Sequence, residues 1–462
     1  MWRRIIAVGV TAAALLGLGG TFGAGPEPWT AESAYAQGDP LVESIEQAQA
    51  RLRDVPGDWT TWAALGSAYV ERARITGDPG YYTRAEGALR ESLRLHPGPS
   101  STDPAGKEPE AVGSGTASGA DTGTVGETGG GTVGNDAALV GLGALANARH
   151  DFALAERLAR QAIAGNPFSA DAYGVLTDAL TQLGRPAEAT EAAQRMLDLR
   201  PGLPALSRAA YDLEQHGRVE EAHALWTQAL ATAIAPADLA FVHHQLGDLA
   251  WHGGDLAAAR AAYEAGPAAD AGYLPLRHGL ARVDAAGGRT AEALAGYAAL
   301  TAASPTPSLL VEHALLLRSL GRAAEPEAQL ALAQAALDLL AAGGGADDLA
   351  AAELALARGD HATAVRLAAG EWQRRRHTDV ADTLAWALHQ AGRHREALPL
   401  ACAAAALGAR SALHAYHLGM IELALGDRAA ARRDLARALR LNPHFSPVDA
   451  PAAARALASA GA

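Results

Sequence analysis

The sequence predicts an all-α protein, a solenoid of stacked helix-turn-helix units. Three observations carry that expectation. Glycines recur at one pitch, at Gly184, Gly217, Gly254, Gly288, Gly321, Gly359, Gly392 and Gly426. Their successive separations are 33, 37, 34, 33, 38, 33 and 34 residues, and a period near 34 marks a helical array. Alanine and leucine dominate the composition and favour helix. Third, each unit carries two apolar stripes that it cannot bury alone. In residues 412–443, Leu418, Ile421 and Leu425 form one stripe, and Ala431, Leu435, Ala438 and Leu439 form the second. Such units must stack on their neighbours.

The elements follow in order. MWRR, then Ile5 to Leu18, gives a basic and an apolar region, and Ala34-Tyr35-Ala36 fits a cleavage site. Residues 1–36 are thus expected to be a signal peptide, or an uncleaved signal anchor. Either form exports the remainder, secreted or tethered to the membrane by that segment alone. No cysteine follows the apolar region, which excludes a lipid-bearing cysteine there. Residues 41–55 are expected to form an N-terminal capping helix, with a first repeat over 58–97. Residues 98–134 are rich in Gly, Ser and Thr and lack periodicity, so a flexible, protease-sensitive linker is expected. Nine more repeats should fill 136–443, and a second capping helix 447–462. Within each unit the pitch-setting glycine ends the first helix, where positive φ is needed.

The repeat at 58–97 carries Trp62, Leu65, Gly66, Tyr69, Ala85, Leu89 and Pro97. Later units keep parts of this set, namely Ala189 and Pro201, Ala222 and Trp226, and Ala293, Tyr297 and Pro305. This pattern resembles the tetratricopeptide repeat (TPR) family. It departs in two places. The segment ERARITGDPGYY lengthens the first helix and turn of the first repeat, and the seventh unit has His313 and Pro326 at unusual positions. The resemblance implies a right-handed superhelix of about ten repeats, from Asp58 to Pro443, whose first helices build a concave inner face. Carrying the inward phase across gives Phe241, His244, Asp248 and Trp251, then Pro275, His278 and Arg282. It gives Asp379, Asp382, Trp386 and His389 in the ninth repeat, and Leu413, Tyr416 and Met420 in the tenth. Aromatics beside carboxylates suit a peptide with basic and apolar side chains. Tryptophans packed between first helices are the competing reading of Trp251 and Trp386.

Chemistry is otherwise sparse. The chain of 462 residues has a formal charge of −13, which disfavours nucleic acid. One cysteine, Cys402, excludes an internal disulfide or a CxxC site, and its place among alanines reads as a small buried residue. No protease, hydrolase, P-loop or calcium-loop motif occurs. Gly141 to Ala146 looks like a degenerate dinucleotide fingerprint, but Gly143 is in phase with Gly66 and Gly419 and reads as a packing glycine. His414 and His417 lie one turn apart, and His243, His244 and His252 lie together, yet sequence places no third metal ligand beside them. Arg374-Arg375-Arg376 reads as a solvated helix end. The expectation is a non-enzymatic scaffold without metal or cofactor, binding an unidentified protein or peptide. An envelope-assembly or metal-handling accessory factor is the alternative.

Overall fold

In the computed structural model, described residues are 40–76, 78, 80–97, 135–266, 272–342 and 345–461. The expected signal segment and the expected linker lie outside these residues. Among the described residues there are helices and no strand. The first is α1 (Pro40–Asp54), packed on α2. Ten antiparallel pairs follow: α2 (Trp59–Thr76) with α3 (Gly80–Leu95), α4 (Asp136–Ala148) with α5 (Phe152–Gly165), α6 (Ala170–Gln182) with α7 (Pro186–Leu199), and α8 (Leu203–Gln215) with α9 (Val219–Thr232). Next come α10 (Pro236–His252) with α11 (Leu256–Ala265), α12 (Leu274–Ala286) with α13 (Thr290–Ala303), and α14 (Pro307–Ser319) with α15 (Glu325–Ala342). The last three are α16 (Asp348–Arg358) with α17 (His361–Arg374), α18 (Thr378–Gln390) with α19 (His394–Ala405), and α20 (Ala412–Ala424) with α21 (Arg428–Leu441). α22 (Asp449–Gly461) packs on α20 and α21. The chain is a superhelical solenoid.

The turn inside each pair explains the glycine pitch. All eight in-phase glycines have φ between +71° and +88°. This left-handed conformation penalises any residue with a Cβ, and it closes the end of each first helix. The second pair replaces the glycine with His150, at φ +62°.

Within a pair and between neighbouring pairs, a small residue on a first helix faces a large side chain. A Cβ on Gly66 would run into Leu89, and one on Gly247 or Gly279 would meet the Tyr263 ring. Gly141 and Gly143 do the same against Leu89 and Val175, from inside helix α4. They are packing glycines, with no phosphate-cradling loop around them. Alanine dominates the second-helix contacts, with Ala85, Ala155, Ala222, Ala259, Ala293, Ala397 and Ala431 fully buried. In the seventh unit, buried His313 stacks on Tyr297 at 5.5 Å between centroids. The lengthened first helix of the first repeat is real, with α2 running 18 residues against 13 in α4, α6 and α8.

A feature invisible in the repeat pattern closes the superhelix on itself. The turns of the third to fifth pairs dock onto the inter-repeat loops of the eighth to tenth. Arg375 Nη1 donates to Gln182 Oε1 at 2.9 Å, across 193 residues. Asn442 Nδ2 donates to the Trp251 carbonyl at 2.8 Å, across 191. Arg410 reaches Glu220 at 3.4 Å, across 190. Tyr211 Oη meets His377 Nε2 at 3.1 Å, and Thr378 Oγ1 donates to Gln215 Oε1 at 3.3 Å. Backbone approaches closely too: Gly184, Gly217 and Gly254 face Arg376, Gly408 and Leu441–Asn442. We call this contact the seam. It corrects the reading of Arg374-Arg375-Arg376 as a solvated end for Arg375 alone, since Arg374 and Arg376 are exposed. Arg375 is 3% exposed, paired to Glu371 and set over the Phe152 ring, because the next superhelical turn covers it.

Candidate functional site: the inner channel

The first helices enclose an open channel of about 2980 Å³. Its wall is built mainly from α2, α4, α6, α8, α10, α12, α14, α16, α18 and α20, with the long end of α2 and the loop before α22 at its margins. Aromatic and aliphatic side chains from all along the array reach it, among them Tyr82, Phe152, Phe241, Leu356, Trp386 and Phe445. The inward phase carried from the family resemblance thus gathers Phe241, His244, Trp251, His278, Arg282, Asp382 and Trp386 on this wall. Asp248, His389 and Tyr416 lie behind it, outside the lining.

How much each offers to a partner differs sharply. Asp248 is 0% exposed. It accepts from Tyr263 Oη at 2.6 Å and from Arg282 Nη2 at 2.7 Å, and His244 Nε2 lies 3.6 Å away. Arg282 also sits over the Trp251 ring, 5.3 Å from its centroid. Opposite charge holds the Arg282 guanidinium well above its ordinary range, although burial acts against it as the largest single influence. A buried ion pair of this kind is a joint between neighbouring helices, here α10 and α12. Asp248 has no surface for direct contact, and Trp251, at 6% exposure, has an edge at most.

His278 is different. Partly exposed, its Nε2 stands 2.7 Å from Glu312, whose other oxygen accepts from Tyr297 Oη at 2.9 Å. Phe241 is partly exposed and meets Trp226 edge-on at 5.8 Å. Trp386 is partly exposed and stacked on both faces, on His417 at 4.1 Å and on His389 at 5.0 Å. Tyr416 is buried between Trp386 and Phe445. His389 meets His394 through their Nδ1 atoms at 3.2 Å. Burial first, and the nearby rings of His394 and His417, hold the His389 imidazole down at about 4.

The sequence could not place carboxylates beside His414 and His417. The fold does so. His417 Nδ1 is 2.8 Å from Asp382, and His414 Nε2 is 3.4 Å from Asp379. The separation of 35 residues between Asp382 and His417 is one repeat, so the repeat spacing was the signal that could have found the pair. Among the described residues no group of three or more His, Cys, Asp or Glu side chains has metal-binding geometry. Cys402 is a correction: it is exposed, on the outward side of α19, because its neighbours Ala401 and Ala404 take the inward positions. Burial and the charges of Glu422 and Asp434 push its thiol up, so it is a poor nucleophile. Among the described residues no helix is long and apolar enough to cross a membrane.

Channel, joints and seam define a helical-repeat solenoid with an internal groove. The family model for the tetratricopeptide repeat matches residues 415–445, within the tenth pair. Those residues thus match a tetratricopeptide repeat, and the pairs around them form a helix-turn-helix solenoid. It is similar in structure to a tetratricopeptide repeat protein from Parabacteroides merdae, at 18% identity, covering 56% of this chain and 99% of that one, with a TM-score of 0.35. It is also similar to the human IFIT1 dimer with PPP-AAAA, at 15% identity over 79% of this chain and 78% of that one, TM-score 0.45. Yeast Tom70 is similar at 14% identity over 86% and 88%, TM-score 0.41. No curated protein sequence matches the chain.

Proposed function

We propose that this protein is an exported scaffold that binds a segment of a protein partner inside the channel, and that it does no covalent chemistry. The observation that carries the reading is the continuous channel with partly exposed Phe241, His278 and Trp386 on its wall. Concave, mostly apolar surface with a few polar groups is what a peptide segment needs. The buried joint of Asp248, Arg282 and Trp251 then serves by fixing the wall. Export rests on the basic and apolar N-terminal segment and on Ala34-Tyr35-Ala36.

Site-directed photocrosslinking in the envelope of the producing cell tests the binding. A photoreactive side chain at Phe241 or Leu356, in the channel, should capture a protein that the same group at Leu339, exposed on α15, does not. Equal capture from both faces overturns channel binding. N-terminal sequencing tests export: a cytosolic protein that starts at Met1 would refute it.

A further inference from the structure

Two carboxylates of the first helices are each met by an arginine from the first helix of the following repeat. Asp178, with its side chain 11% exposed, is gripped in a fork by Arg208, through Nε at 2.8 Å and Nη2 at 2.7 Å. Asp248 is met by Arg282. Asp382, on the channel wall and 5% exposed, is built differently. Its ion-pair partners among the described residues are imidazoles of α20: His417 Nδ1 at 2.8 Å and His414 Nε2 at 3.8 Å. The second oxygen, Oδ1, is buried without a hydrogen-bond partner. Asp379, one turn earlier and 28% exposed, stands 3.4 Å from the same His414 Nε2. A single ring nitrogen therefore lies between two carboxylates.

Imidazole differs from guanidinium here in the way that matters. Arginine is always charged and brings several donors, whereas a neutral imidazole brings one. The surrounding groups are His377 from the loop before α18, whose Nδ1 is 3.7 Å from Asp379, and Tyr211 of α8 beyond it across the seam. Trp386, His389 and His394 stand on the far side of His417. Where the other two positions hold their own arginine, this one has room in its chemistry for a cation from outside.

We propose that Asp379 and Asp382, with His414 and His417, form a subsite for one basic side chain of the bound segment. The inference rests on the channel-binding reading and adds to it the charge of the partner residue. An arginine or lysine entering from the channel places its cation between the two carboxylates and gives Asp382 Oδ1 the donor that it lacks.

The test uses the whole protein and the peptide acetyl-Leu-Arg-Leu-amide, with the citrulline peptide as its neutral isostere. Imidazole proton signals of His414 and His417 are followed by NMR at about pH 8, with chelator present. The arginine peptide should shift both rings and the citrulline peptide should not. Asp382→Asn should weaken the arginine peptide by about tenfold or more, the loss expected for one partner of a charge pair. His414→Arg is the decisive variant. It supplies the internal arginine that Asp178 and Asp248 already have, so it should hold or raise the melting temperature while abolishing peptide binding. Equal binding of arginine and citrulline peptides, no binding of either, or full binding by His414→Arg overturns the subsite. If crosslinks from Phe241 and Leu356 persist in that case, channel binding stands and only the cation subsite falls. If they are absent too, both readings fall.

Discussion

At the scale of single residues, burial decides which aromatic side chains are walls and which are contacts. Trp251 is 6% exposed beneath Arg282, while Trp386 is partly exposed between two histidine rings. Trp251→Ala should therefore lower stability by about 3–5 kcal/mol, the cost of emptying a core site of that size. Chemical denaturation checks this, and a variant as stable as the parent would return Trp251 to the list of contacts. Two titrating side chains pull stability in opposite directions. His389 titrates near 4 in the fold and near 6.5 when free, so the unfolded chain takes up that proton first. Its contribution is complete above about 6.5 and is lost as pH falls towards 4. Glu214, a hydrogen-bond acceptor for Trp226, is pushed up to about 7 from 4.5, mainly by burial. Its contribution is complete below about 4.5 and is lost as pH rises through 7. His389→Gln should flatten the acid limb of the stability curve, and Glu214→Gln the neutral limb. Denaturation midpoints across that pH range separate the two, and unchanged limbs would mean that neither group titrates in this window.

At the scale of elements, the repeat was legible because every unit solves one problem in one way. A first helix must stop, turn with positive φ and let a second helix back onto its stripe, and glycine does this with one spacing at eight turns among the described residues. Gly143, in phase with Gly66 and Gly419, was legible as a packing glycine for the same reason, although the large side chains that these glycines face were not. What the sequence hid is everything set by the angle between repeats. Cys402 was read as buried from its alanine neighbours, yet α19 turns it outward. Arg375 was read as solvated, since only the fold brings Gln182 beside it. Asp382 and His417 meet through stacking of neighbouring repeats, although each belongs to an ordinary first helix. The turn glycines turn this difference into a measurement. Nothing lies within 4 Å of a Cβ placed on Gly392, while one on Gly217 would strike the Gly408 carbonyl oxygen. Gly392→Ala should cost about 1–2 kcal/mol, the left-handed penalty alone. Gly217→Ala should cost more, because it also presses the two superhelical turns apart. Equal losses in thermal melts would show that the seam adds nothing at that turn.

For the whole molecule, the seam decides whether the channel is a trough or a tube. An array held only by neighbouring repeats can stretch and recoil like a spring, since each unit touches just the next. Here the third to fifth units also grip the eighth to tenth, through Gln182 with Arg375, Tyr211 with His377 and the Trp251 carbonyl with Asn442. Removing the side-chain partners together, as Arg375→Ala with His377→Ala and Asn442→Ala, should leave helix content unchanged and increase the radius of gyration in small-angle scattering. A radius equal to the parent's would show that neighbour stacking alone sets the coil.

Three of the seam contacts are separated by 193, 190 and 191 residues and two more by 166 and 163, and these fixed spacings have a consequence for how such a gene can change. Open arrays gain and lose units freely, because a duplicated unit finds the same neighbours wherever it lands. A screw thread is less forgiving. One unit inserted between Gly254 and Arg375 would carry every later loop a full unit past its mate, and all of these contacts would miss together. A unit added after Asn442 would disturb none of them. Lineages of this chain should therefore vary in length at the ends and keep the count of units between Gly254 and Arg375 fixed.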